Sequence, residues 1–199
     1  MIFPRFYEQL NKYLKKNKVL VIYGPRQVGK TTLIKNFLKN TNLKHRLDNG
    51  ENINIQEILS SQNFESIKEY CHGYQLVVID EAQKIPNIGV GLKIIVDNVP
   101  DIYVIATGSS SFELSGQIGE PLTGRKITHI LYPLSQIELS KIQNNFDLKN
   151  NLNSYLIYGN YPEVLIQKGN KAKIDVLKEL IHSYLLKDII ELEKVKGAK

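Results

Sequence analysis

Two rhythms of apolar residues alternate along the chain, and their order predicts the fold class. Phe6, Leu10, Tyr13 and Leu14 recur at helical spacing, which predicts a helix closed before Asn17. Residues 18–23 then form a continuous β-branched run ended by Gly24, the pattern of a strand buried on both faces. Leu33, Ile34, Phe37 and Leu38 mark one face of the next helix. A weaker extended piece covers 45–48, and helical patterns follow over 53–59 and 64–70. Residues 76–80 repeat the buried-strand pattern, and Ile88, Leu92, Ile95, Val96 and Val99 predict a helix stopped by Pro100. Residues 102–107 and 126–131 complete the set of strands.

Strands separated by helical crossovers predict an α/β fold built on a doubly wound, five-stranded parallel sheet. Beyond Pro133 the strand pattern stops. Ile137, Leu139, Leu152, Tyr155 and Leu156, then Ile174, Leu177, Ile181, Tyr184, Leu185 and Ile189, are spaced for helices alone. The expected division is an α/β core over 1–132 and a small C-terminal helical subdomain, or lid, over 133–199.

Composition narrows the function classes. The chain has 199 residues, 42% of them hydrophobic and 23% charged, which excludes an intrinsically disordered class. No apolar run approaches the roughly 20 residues of a membrane helix, so no membrane partner is expected. The start lacks the apolar stretch of a signal peptide. Cys71, the one cysteine, cannot form an internal disulfide and fits a reducing, cytoplasmic setting. Lys and Arg number 26 against 20 Asp and Glu, a formal charge of +6 that favours polyanions, nucleic acid among them. Most lysines, such as Lys12, Lys16, Lys35 and Lys39, sit on polar faces and read as solvated surface. His45, His72, His129 and His182 share no metal-ligand spacing with one another or with Cys71.

The chemistry concentrates in three stretches. Gly24, Pro25, Arg26, Gln27, Val28, Gly29, Lys30 and Thr31 match G-x-x-x-x-G-K-[ST] throughout, with Thr32 following. A loop around a phosphate must aim several backbone N–H groups inward, in conformations glycine reaches cheaply. The helix opening near Lys30 adds its positive end, the Lys30 ammonium suits the β- and γ-phosphates, and the Thr31 hydroxyl suits Mg²⁺. Asp80, ending an apolar strand, is the expected carboxylate on the Mg²⁺ side. Glu81 can polarise an attacking water as a general base, a group a nucleotide kinase does not need. Thr107 or Ser109, at the tip of the fourth strand, can hydrogen-bond the γ-phosphate and that water. A serine-rich turn is the plainer reading there. No D-x-x-G follows Asp80, and Asn170-Lys171-Ala172-Lys173 has lysine where a guanine reader needs aspartate, so adenine nucleotide is expected.

GPRQVGKTT, LVVIDEAQ, ATGSSS and PLTGRKITHILYPLSQIE together resemble the N-terminal ATPase domain of a prokaryotic AAA-type P-loop family. The resemblance spans roughly residues 1 to 190. It implies a sheet in which the strand before ATGSSS lies between the strands of the other two motifs. Gly124-Arg125, Pro133-Leu134-Ser135 with Glu138, and Gly159-Asn160-Tyr161-Pro162-Glu163 match further family elements, Asn160 departing from a second glycine. In such assemblies an arginine near Arg125 often reaches a neighbour's γ-phosphate, which implies a homo-oligomer. An ion pair to Glu138 or another acid is the alternative. Family members usually continue into a long C-terminal domain, so this chain reads as a shortened form.

The leading expectation is an Mg²⁺-dependent ATPase whose ATP turnover drives a conformational or assembly switch. The rival is an ATP-binding nucleic-acid or scaffold module with little hydrolysis, which the basic excess favours and Glu81 disfavours. A small-molecule kinase ranks third.

Overall fold

A computed structural model describes residues 2–109 and 121–182. Ser110, Ser111, Tyr184, Leu185 and Ile189, named above, lie outside the described residues. Five strands form one parallel sheet: β1 (Val19–Tyr23), β2 (His45–Asn49), β3 (Leu76–Asp80), β4 (Tyr103–Gly108) and β5 (Lys126–Ile130). Their spatial order is β2-β3-β4-β1-β5. The expected fold class is the observed one, and β4 lies between β1 and β3 as the resemblance implied.

The continuous apolar runs are explained by two cores, one on each face. Val19, Val21, Val77, Ile79 and Val104 point to one face, where α2 (Ile53–Ser60), α3 (Phe64–Cys71) and α4 (Ile88–Asn98) bring Leu59, Ile67 and Leu92. Leu20, Ile22, Leu76, Val78 and Ile105 point to the other, where α1 (Lys30–Asn40) brings Leu33, Ile34 and Phe37. Successive strand residues point to opposite sides, so an unbroken apolar run needs both sides apolar, and each buried Leu, Ile or Val contributes about 1.5–3 kcal/mol.

The predicted N-terminal helix does not form. Only a single 3-10 turn, Leu10–Lys12, interrupts an extended strap. Tertiary contacts overrule the spacing. The Phe6 N–H donates to Glu138 Oε1 at 2.6 Å instead of entering a helix, and the Phe6 ring is exposed. Tyr7 and Tyr13 pack on the His129 ring of β5, each with centroids 4.5 Å apart. Leu10 is buried against the α1 face of the sheet. The strap thus covers the β5 side of the fold.

From Gln136 the described residues form helices: α5 (Gln136–Leu139), α6 (Asn145–Asn150), α7 (Leu152–Tyr158), α8 (Pro162–Ile166) and α9 (Asn170–Leu180). α5 opens on a capping box, in which Ser135 Oγ accepts from the Glu138 N–H at 3.2 Å and Glu138 Oε2 accepts from the Ser135 N–H at 2.8 Å. Among the described residues no helix is long and apolar enough to cross a membrane.

Candidate functional site

The strand tips of β1, β3 and β4 end side by side, so the three sequence stretches meet at one edge of the sheet. Loops at the carboxyl ends of parallel strands form the usual ligand crevice of such sheets. The loop from β1 to α1 is forced tight. A Cβ on Gly24 would stand 2.1 Å from the Leu131 carbonyl oxygen, so no other residue fits there. Gly29 caps α1 at φ +100°, left-handed territory open to glycine. Val28 is fully buried and anchors the loop from beneath.

Lys30 is only 5% exposed, and its Nζ donates to the carbonyls of Gly24 and Pro25, each at 2.9 Å. The ammonium therefore lies inside the curl of its own loop. Thr31 Oγ1 donates to Asp80 Oδ2 at 2.7 Å, and Thr107 Oγ1 donates to Asp80 Oδ1. Thr107 Oγ1 in turn accepts from the Glu81 N–H at 3.1 Å. Asp80 is thus gripped from β4 and α1 at once, which fixes both carboxylate oxygens. Buried carboxylates and hydroxyls in this arrangement are hard oxygen donors of the kind Mg²⁺ takes, usually beside phosphate oxygens. Among the described residues no cluster of three or more His, Cys, Asp or Glu forms a separate metal cage.

Glu81 adopts a left-handed backbone, φ 52°, just past β3, and its Oε2 accepts from Gln83 Nε2 at 2.5 Å. Ser109 is fully buried beyond the tip of β4. Lys30, Thr31, Asp80, Glu81, Thr107 and Ser109 thus gather around the strand tips. Thr32 and Gly29 open onto a pocket of about 350 Å³ walled mostly by apolar groups, including Phe3, Pro4, Ile142 and Pro162.

Arg125 does not join them. Its carbonyl accepts from the Val19 N–H at 2.8 Å, at the start of β1, so β1 separates it from the phosphate loop by roughly 13 Å of strand. Its Nε donates to Asp97 Oδ1 at 2.6 Å, at the end of α4. The acid it pairs with is Asp97, while Glu138 pairs with Arg5.

Two residues escaped sequence reasoning. Gly50 runs under Glu81, where a Cβ would come 2.4 Å from the Glu81 carbonyl oxygen, and its N–H donates to the Asp80 carbonyl at 2.7 Å. A glycine after Asn49 reads as an ordinary turn, so nothing in the sequence marks this contact. The other is Arg5, a buried arginine in the strap that no motif marks.

A family profile described as an AAA domain matches residues 16–140. An uncharacterized protein of Methanocaldococcus jannaschii is 27% identical over 202 residues, covering 92% of this chain and 44% of that protein. An uncharacterized protein of Haemophilus influenzae is 26% identical, covering 96% of this chain and 51% of its own length. The chain thus spans about half the length of these two relatives. Among solved structures, the Walker-type ATPase PABY2304 of Pyrococcus abyssi matches with a TM-score of 0.60 at 15% identity, over 97% of this chain and 76% of that one. That likeness concerns the fold.

Proposed function

The chain belongs to the AAA-domain family, and on that premise we propose that it is an Mg²⁺-dependent ATPase whose nucleotide state moves the helical segment after Pro133 against the α/β core. The observation that carries this reading is the hydrogen-bonded run Thr31–Asp80–Thr107–Glu81, which ties the loop, two strand tips and the backbone of the candidate base into one unit. Such preorganisation lowers the reorganisation needed when charge shifts in the transition state.

Each residue has a task in this reading. The backbone of Gly24–Thr31 and the helix end cradle the phosphates, and the Lys30 ammonium exchanges its carbonyl partners for phosphate oxygens. Thr31 and Asp80 would hold Mg²⁺, which, when bound, neutralises phosphate charge. Glu81 takes the proton of an attacking water, held in place by its left-handed backbone and by Gln83. Thr107 relays the position of Asp80 to the backbone of Glu81. The apolar pocket beside Gly29 and Thr32 suits a nucleobase, in keeping with adenine nucleotide. A protein or nucleic-acid partner would be what such a switch acts on; the two relatives are about twice this length.

Phosphate release from Mg·ATP by the purified chain tests the proposal. Glu81→Gln should keep ATP affinity within about twofold and lower turnover by about 100-fold or more, as expected for loss of a general base. Turnover by Glu81→Gln at the parental rate removes Glu81 from the mechanism. No turnover by the parent, despite tight ATP binding, favours the scaffold reading.

A further inference from the structure

The candidate nucleotide chemistry gathers at the strand tips, while positive charge gathers at the opposite end of the sheet. All five strands are parallel, so their first residues share that end in the order β2-β3-β4-β1-β5. Lys44 stands just before β2, Lys18 just before β1, and Lys126 opens β5 after Arg125, in register with Val19. α1 runs back from the tips and brings Lys39 in its last turn, and α3 brings Lys68 beside Glu69. The densest part is the turn into β1, where Lys15, Lys16 and Lys18 follow one another closely.

That turn is held from two elements. The Lys18 N–H donates to the Lys15 carbonyl at 3.3 Å, and Asn17 takes a left-handed backbone at φ 56°. The Asn17 N–H donates to the Ile102 carbonyl at 2.9 Å and its Nδ2 to the Val96 carbonyl at 3.1 Å. These bonds tie the turn to the start of β4 and to α4, so little backbone freedom is left to lose when a ligand binds.

The acids nearby are already engaged. Asp97 holds Arg125 at 2.6 Å and Asp101 holds Lys16 at 3.0 Å. Helix carboxyl ends attract cations without any ligand, which accounts for Lys39 and Lys68. It does not account for Lys15 and Lys18, which lie on the turn, one exposed and the other half-buried. Among the described residues neither pairs with a carboxylate. The apolar neighbours Leu14, Leu43, Val99 and Ile102 pack into the two cores, so they are not offered to a bilayer. The Tyr74 ring lies beneath Lys44 and Arg46, 5.8 Å from each, so it is not a free platform for an unstacked base. Charge is what this end presents. Five strand starts about 4.8 Å apart leave room for several phosphates of a duplex, which carries a charge every ~1.7 Å of its axis.

We propose that this end of the sheet docks the phosphate backbone of double-stranded nucleic acid, with Lys15 and Lys18 as its central contacts. Binding of this kind is read by charge and not by sequence. It is separate from the phosphate loop and does not depend on hydrolysis.

Fluorescence anisotropy of a labelled, mixed-sequence DNA duplex of about 20 base pairs, titrated with the full chain from about 50 to about 200 mM KCl, tests this. The parent should bind, with affinity falling linearly in log affinity against log salt. Lys15→Gln combined with Lys18→Gln should weaken binding about tenfold or more at about 100 mM KCl and make that slope shallower by about 2. Lys15→Arg with Lys18→Arg should restore parental binding. Lys171→Gln with Lys178→Gln removes the same charge from exposed positions of α9 and should stay within about twofold of the parent. Lys30→Ala should lose Mg·ATP and keep the duplex. Equal weakening by the α9 pair means that net charge alone is at work, and loss of the duplex by Lys30→Ala places it in the phosphate loop; either result overturns the proposal. A parent that binds no duplex, or that binds phosphatidylserine vesicles in its place, overturns it too, and leaves the nucleotide reading standing.

Discussion

Cys71 shows how far a single side chain can be governed by its surroundings. It ends α3 with 1% exposure, and burial pushes its thiol up to about 12, with Arg46 pulling weakly the other way. The thiolate is the reactive form, so at mildly alkaline pH almost none is present in the folded chain. Native protein should therefore resist iodoacetamide, and the same protein in guanidinium chloride should be labelled at the rate of a free thiol. Equal rates in the two states, followed by mass spectrometry, would show that α3 does not seal this position. A lone cysteine in sequence carries none of this information, since exposure and not identity decides its chemistry. Gly50 makes a similar point: its neighbour Glu81 is distant in sequence, and only the folded chain shows that a methyl group there would push on the candidate base.

At the level of elements, the strap is held to β5 by the Tyr7–His129–Tyr13 stack. His129 Nε2 is buried without a partner, and burial holds the imidazole below its ordinary pKa. The unfolded chain takes up a proton near the ordinary value of about 6.5, while the folded chain waits for a lower pH. The unfolded state then binds more protons across that interval, so the stability linked to His129 is present above about 6.5 and is lost as pH falls through the folded value. The melting temperature should drop from about pH 7 to about pH 5, and His129→Phe, which keeps an aromatic ring, should make that drop shallower. Parallel slopes would mean that His129 is not coupled to folding. The strap itself was misread because 3.6-residue spacing cannot distinguish a helix from an extended segment whose Tyr7, Leu10 and Tyr13 happen to find pockets in the sheet. β1, β3 and β4 were legible for the opposite reason: burial on both faces leaves an unbroken β-branched run. Their order in space was not in the periodicity and came with the family resemblance. The phosphate loop was legible because its chemistry is local in sequence, whereas Arg5 and Gln83 depend on contacts that spacing does not encode.

Across the whole molecule the sheet has two ends with different duties, and Arg125 tests whether they communicate between copies. The strand tips carry the loop, Asp80 and Glu81, while Arg125 lies at the opposite end, its carbonyl on the Val19 N–H and its Nε on Asp97. The ion pair with Asp97 raises the Arg125 pKa and joins the end of α4 to the entry of β5. The guanidinium is more than a third exposed, so screening leaves the pair a weak structural tie. Within one chain it cannot reach the phosphates; only a second copy, packed with this end against another's strand tips, would bring one to it. The present pairing favours the structural role. Activity per molecule should therefore be independent of protein concentration, and Arg125→Ala should retain parental ATP affinity and turnover. Mixing Arg125→Ala with Lys30→Ala, which lacks the phosphate-binding ammonium, should give no more than the sum of the two alone. If Arg125→Ala is instead inactive and the mixture regains turnover, each chain supplies what the other lacks, and the arginine acts across an interface. The same pair of variants made in one of the longer relatives, which are about twice this length, would separate an arginine that never acts in trans from one that needs the remaining half to bring copies together.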